Sequence, residues 1–121
     1  MNTRSMTGKL TDIMECFRGD IDIFCINESW LNENTDDCNV KWIGNQIFRI
    51  DRTANRSGGL VSYISNDLAS HSVIVEEHTY IHEDIEVLTL CIDKPMRRKK
   101  IICNIYRPPT ILTSLLSWMT L

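Results

Sequence analysis

Residues 21–31 read Ile21-Asp22-Ile23-Phe24-Cys25-Ile26-Asn27-Glu28-Ser29-Trp30-Leu31. The unbroken apolar run Ile23 to Ile26 predicts a strand buried on both faces, because a strand wet on one side would alternate with polar residues. Glu28 follows at the carboxyl end of that strand and is therefore expected at a sheet rim, where α/β proteins usually place chemistry. Taken by itself, the same acid also reads as a solvated residue opening a loop.

Working outward, Met6, Leu10, Ile13, Met14 and Phe17 recur at helical spacing and predict a helix over Met6 to Phe17, packed on a sheet and stopped by Arg18-Gly19-Asp20. Asn32 to Asn39 is polar and aperiodic, a loop. Short strands are expected at Ile47 to Ile50, at Leu60 to Ile64 after Gly58-Gly59, at Val73 to Val75, at Ile85 to Ile92 and at Ile101 to Tyr106. Alternation puts Ile85, Val87, Thr89 and Cys91 on one face and Glu86, Leu88, Leu90 and Ile92 on the other, while Ile102, Asn104 and Tyr106 share a side. Glu86 is thus an acid on an otherwise apolar face, which reads as a buried structural carboxylate. Pro108-Pro109 ends the last strand at Arg107. Beyond it, Ile111, Leu112, Leu115, Leu116 and Met119 fit a short amphipathic helix.

The chain has 121 residues, 43% hydrophobic and 24% charged, which suits one domain with one modest core. A net charge of −3 argues against a protein that coats nucleic acid by bulk electrostatics, so any contact with DNA must be local. The basic run Arg97-Arg98-Lys99-Lys100 reads as a solvated hairpin connection. Five cysteines without a Cys-x-x-Cys pair, with Cys25, Cys91 and Cys103 inside apolar strand patterns, read as small core residues in a reducing compartment. His71, His78 and His82 lack partners at zinc-ligand spacing and read as surface residues, so any metal would be oxygen-bound. The start lacks an apolar signal segment, and the tail is shorter than the about 20 residues a bilayer requires. An intracellular protein, nuclear or cytoplasmic and without a membrane partner, is expected.

Four stretches occur in one order: Asn2-Thr3-Arg4-Ser5 with Lys9, then Asn27-Glu28-Ser29-Trp30-Leu31, then Arg49-Ile50-Asp51-Arg52 with Ser57-Gly58-Gly59-Leu60, and finally Ile105-Tyr106-Arg107-Pro108-Pro109. In this order and spacing they resemble the endonuclease/exonuclease/phosphatase family, most closely the endonuclease domains of non-LTR (LINE-like) retrotransposons. The resemblance covers residues 1–109 and leaves 110–121 as a separate apolar, helical tail. It implies an α/β (α+β) fold that is half of a four-layer α/β sandwich, with a mixed, mostly antiparallel sheet and flanking helices. It also implies a Mg²⁺-dependent phosphodiesterase acting on DNA, with Glu28 as the metal ligand and Asn2 and Tyr106 at the phosphate. The bland readings are a terminal residue for Asn2 and a packing residue for Tyr106. Arg52, Gly58 and Gly59 are expected to shape a turn.

The family's Gly-Asp-Phe-Asn and Ser-Asp-His elements are not found in these residues. Phosphoryl transfer depends on placed groups, and losing one can cost about a hundredfold, so this stretch alone is expected to be inactive. The expected fold has strands for a single sheet, whose uncovered inner face would invite self-association. The competing reading is a non-catalytic remnant acting through that face or through the apolar tail.

Overall fold

The computed structural model describes residues 1, 3–17, 21–51, 58–70, 74–82, 85–93 and 96–107, with residues 70 and 74–82 described by backbone alone. It shows a small α+β fold. Strands β1 (Ile23–Asn27), β2 (Asn45–Ile50) and β3 (Leu60–Ser65) form one three-stranded sheet in the order β1-β3-β2. Strands β4 (Ile74–His82), β5 (Ile85–Asp93) and β6 (Lys100–Tyr106) form a second, in the order β4-β5-β6. Every strand pairing in both sheets is antiparallel. A parallel element joins at the free edge of β1, where the Met1 amino group donates to the Cys25 carbonyl (2.7 Å), Asn27 N–H to Met1 (2.7 Å) and Thr3 N–H to Asn27 (3.0 Å). Bonds that advance in step along both segments are the pattern of parallel pairing.

The second sheet corrects the expectation of a single sheet with an open inner face. Ile50, Leu60 and Ile64 of the first sheet pack with Leu88, Leu90, Ile92 and Tyr106 of the second, so that the face expected to be bare is covered. The cause lies in the alternation: Leu88, Leu90 and Ile92 turn one apolar face inward, and an apolar face of that kind must find a partner. The opposite face of the first sheet is covered by helix α1 (Leu10–Cys16) and the turn of 3₁₀ helix at Asp37–Val40. There Met6, Leu10, Ile13, Ile26, Leu31, Val40, Val61 and Tyr63 form a second core. Each strand of the first sheet divides its side chains between these two cores, as a period of two requires.

Helix α1 is shorter than Met6–Phe17 because its approach is committed elsewhere. Ser5 N–H and Met6 N–H donate to the Glu28 and Ser29 carbonyls (2.7 and 3.0 Å), and the helix starts only at Leu10, after Gly8. A five-residue helix α2 (Asn66–Ser70), which the sequence pattern did not suggest, follows β3 and is capped by the Ser65 hydroxyl accepting from Leu68 N–H at 3.2 Å. Strand β4 extends well beyond Val73–Val75. Of the cysteines expected in the core, Cys91 is buried, Cys25 partly so, and Cys103 is exposed on the outer face of β6; all five are free thiols. Among the described residues no helix is long and apolar enough to cross a membrane. Asn2, Arg52, His71 and the expected tail helix lie outside the described residues.

Candidate functional site

Strand β1 ends at Asn27, and the next residues leave the sheet through an unusual backbone path. Glu28 has φ 54° and Trp30 has φ 57°. The left-handed region costs a side-chain-bearing residue about 1–2 kcal/mol, so it persists only where neighbours enforce it. Here they do so from two sides. Ser29 N–H donates to the Gly59 carbonyl (3.2 Å) and Trp30 N–H to the Gly58 carbonyl (3.0 Å), while Ser5 N–H and the Thr3 hydroxyl donate to the Glu28 carbonyl at 2.7 and 3.2 Å.

The glycine pair is needed at this contact. Gly59 has φ 90°, and a Cβ there would lie 2.5 Å from the Ser29 hydroxyl oxygen, inside any tolerable contact. Gly59 N–H in turn points at Glu86, donating to both carboxylate oxygens at 2.9 and 3.2 Å. Glu86 is fully buried, as its place on the apolar face of β5 suggested.

The two sheets are tied together at the same end. Asn104 of β6 donates from Nδ2 to the Ile26 and Val61 carbonyls, each at 3.1 Å, and accepts at Oδ1 from Asn27 Nδ2 at 2.8 Å. Asn27 Nδ2 also donates to the Ile105 carbonyl at 3.0 Å. Two residues farther along β6, the Tyr106 hydroxyl donates to Glu28 Oε1. Glu28 and Tyr106, far apart in sequence, therefore touch, and they do so because the sheets are stapled one step away. Asn27 and Asn104 were not among the expected site residues. The signal for Asn104 was its place on the same side as Tyr106.

Arg49 and Asp51, both in a stretch quoted for the resemblance, build the scaffold beside the site. The Arg49 guanidinium grips Asp51 through two bonds (3.0 and 2.6 Å), and reaches Asp37 at 2.9 Å and the Asn32 carbonyl at 2.9 Å. The Asp51 hydrogen bonds hold its pKa above the ordinary value, against the opposing effect of burial. The fork closes the Asn32–Asp37 loop over β2.

Comparison with models of known protein families gives no match, and neither does comparison with curated protein sequences.

Mg²⁺ keeps several waters and takes as few as one or two protein carboxylates. Among the described residues no group of three or more His, Cys, Asp and Glu side chains could hold a metal. Those residues do not form a closed protein cage such as zinc prefers. Glu28 is half-buried just past the end of β1, with Oε1 accepting from the Tyr106 hydroxyl.

The basic run is elsewhere. Arg97, Arg98 and Lys99 lie between β5 and β6, and Arg97, Arg98 and Lys100 line a cleft with Asp22 and Asp67 at the opposite end of the sheets. At about 3.3 Å per residue, Ile92 is about 20 Å along β5 from Glu86, too far for one phosphate to meet both ends.

Proposed function

We propose that this chain supplies the metal-side half of a Mg²⁺-dependent phosphodiesterase site of the endonuclease/exonuclease/phosphatase type, of retroelement origin, with DNA as the substrate class. The observation that carries the reading is the contact between Glu28 and Tyr106, two residues the motif resemblance marks for metal and phosphate. A bound Mg²⁺ supplies Lewis-acid stabilisation of charge on a phosphate oxygen. Glu28 presents a fixed carboxylate to it. Tyr106 holds that carboxylate through its one hydroxyl proton, and donation to an arriving phosphate oxygen would replace the bond to Glu28 Oε1 and release that oxygen to the metal. Asn2 is the third member by resemblance. The Asp, Asn and His that position the nucleophile in that family have no counterpart in the matched stretches, so hydrolysis by these residues alone is negligible.

The test is Mn²⁺ titration followed by NMR line broadening, with Mn²⁺ standing in for Mg²⁺. Broadening should centre on Glu28 and Tyr106 and vanish in Glu28→Gln. Broadening that spreads over surface acids and survives Glu28→Gln rules the assignment out, as does Mg²⁺-dependent nicking of supercoiled plasmid that survives the same substitution.

A second reading, a non-catalytic protein that pairs with a second copy of itself, is favoured by one observation. Ile101 and Ile105 are 66% and 54% exposed on the outer face of β6, an edge strand among those described. Sedimentation at rising concentration separates the two: a monomer throughout removes this second reading, and a dimer abolished by Ile101→Lys supports it.

A further inference from the structure

A carboxylate with no exposed surface, on a strand face otherwise made of Leu88, Leu90 and Ile92, is costly to keep, because burying a charge or an acid without compensation is strongly unfavourable. Part of what Glu86 bonds to lies at the site. Both of its oxygens accept from Gly59 N–H, and the carbonyls of Gly58 and Gly59 accept from Trp30 and Ser29 on the far side of Glu28. Glu86 also stands directly opposite Tyr106 in the β5–β6 register. One buried residue therefore indexes both members of the Glu28–Tyr106 pair: it anchors the glycine turn that holds Glu28 in its left-handed conformation, and it marks the rung at which Tyr106 enters. We propose that Glu86 is a positioning residue that sets the Glu28 carboxylate against the Tyr106 hydroxyl through Gly59. This deepens the metal-site reading and rests on it for its functional meaning, although the positioning itself is measurable without metal.

The experiment compares wild type with Glu86→Ala and Glu86→Gln, with Leu90→Ala as a control that is destabilised in the same inter-sheet core. Two quantities are read in each folded protein: the NOE between the Tyr106 ring and the Glu28 side chain, and the Mn²⁺ concentration at half-broadening. Glu86→Ala should lose the NOE and raise the Mn²⁺ midpoint about tenfold, the lower end of what removing an outer partner of a metal ligand does. Glu86→Gln, which keeps one acceptor for Gly59 N–H, should fall between it and wild type. Leu90→Ala should lower thermal stability and leave both readouts in place. An unchanged NOE and midpoint in folded Glu86→Ala or Glu86→Gln overturns the proposal.

If neither Glu86 variant folds, hydrogen exchange in the wild type decides. A Gly59 amide protected like those of β3 supports the clamp, and one that exchanges as fast as an exposed loop amide refutes it. A wild type that ignores Mn²⁺ but whose NOE disappears in Glu86→Ala sinks the metal reading and leaves the positioning role standing.

Discussion

At the Glu28 end of the space between the sheets, Asn104 bonds Asn27 and Ser62, Glu86 accepts from Gly59 and Tyr106 donates to Glu28, whereas toward the other end Ile64, Leu90 and Ile92 meet as hydrocarbon. Both ends are buried, yet they do different work. Apolar contact is nearly indifferent to small sliding of one sheet over the other, so it stabilises the pair without fixing its alignment. Amides that must find particular carbonyls allow one alignment only. Polar burial is therefore concentrated where two side chains from different sheets have to meet, and absent from the contacts where they need only exclude water.

Two substitutions, one at each end, should separate stability from alignment. Leu90→Ala opens a cavity in the hydrocarbon end and should cost about 2–5 kcal/mol by chemical denaturation, with the Tyr106–Glu28 NOE retained. Asn104→Leu keeps the bulk but strips donors from the Ile26 and Val61 carbonyls and an acceptor from Asn27, and should cost about 2–3 kcal/mol. Its distinguishing effect is loss of that NOE. If both variants keep the contact, or both lose it, the division of labour between the ends is wrong.

How much of this was visible in the sequence follows from the range of each signal. The inward face of β5 and the shared side of Ile102, Asn104 and Tyr106 are local patterns with period two, and the strands carry them as read; the place of Glu28 just past a strand end was read from where the apolar run stops, and β1 ends at Asn27. The existence of a second sheet is not local. It depends on β4, β5 and β6 pairing with one another and then packing on residues at least two dozen positions earlier, and no window along the chain encodes that choice. The same holds at the site: Glu28 and Gly59 each stood out by type, but that Gly59 exists to let Ser29 and Glu86 approach it from opposite sides is a three-body fact.

That three-body contact is breakable by itself. Gly59→Ala forces a side chain into φ 90° and a methyl against the Ser29 hydroxyl, and should cost about 1–3 kcal/mol. Ser29 Oγ is buried without a hydrogen-bond partner among the described residues, so Ser29→Ala alone should be neutral or stabilise by up to about 1 kcal/mol. The double variant should recover the steric share of the Gly59→Ala loss and keep the backbone share, giving a coupling of about 1 kcal/mol in a thermodynamic cycle. Strict additivity would mean that the close approach does not matter to stability.

Tyr63 lies on the opposite face of the first sheet and sharpens the comparison by standing outside both ends. Its hydroxyl donates to the Val40 carbonyl at 2.5 Å, and Tyr63→Phe should cost about 1 kcal/mol at neutral pH while leaving the Glu28–Tyr106 contact intact. Burial pushes its phenol well above the ordinary value of 10.0, Arg49 pulls it partly back, and Asp37 raises it again. The unfolded phenol therefore ionises near pH 10, while the folded one still holds its proton. Stability from this source is complete below that pH and drains away as the pH rises toward the folded value. Wild type should lose more stability than Tyr63→Phe above about pH 10, so that the gap between the two denaturation midpoints narrows. A gap that stays constant from neutral to alkaline pH would mean that the phenol is as open to water in the folded chain as in the unfolded one, which its packing against Trp42 at 5.3 Å between ring centres argues against.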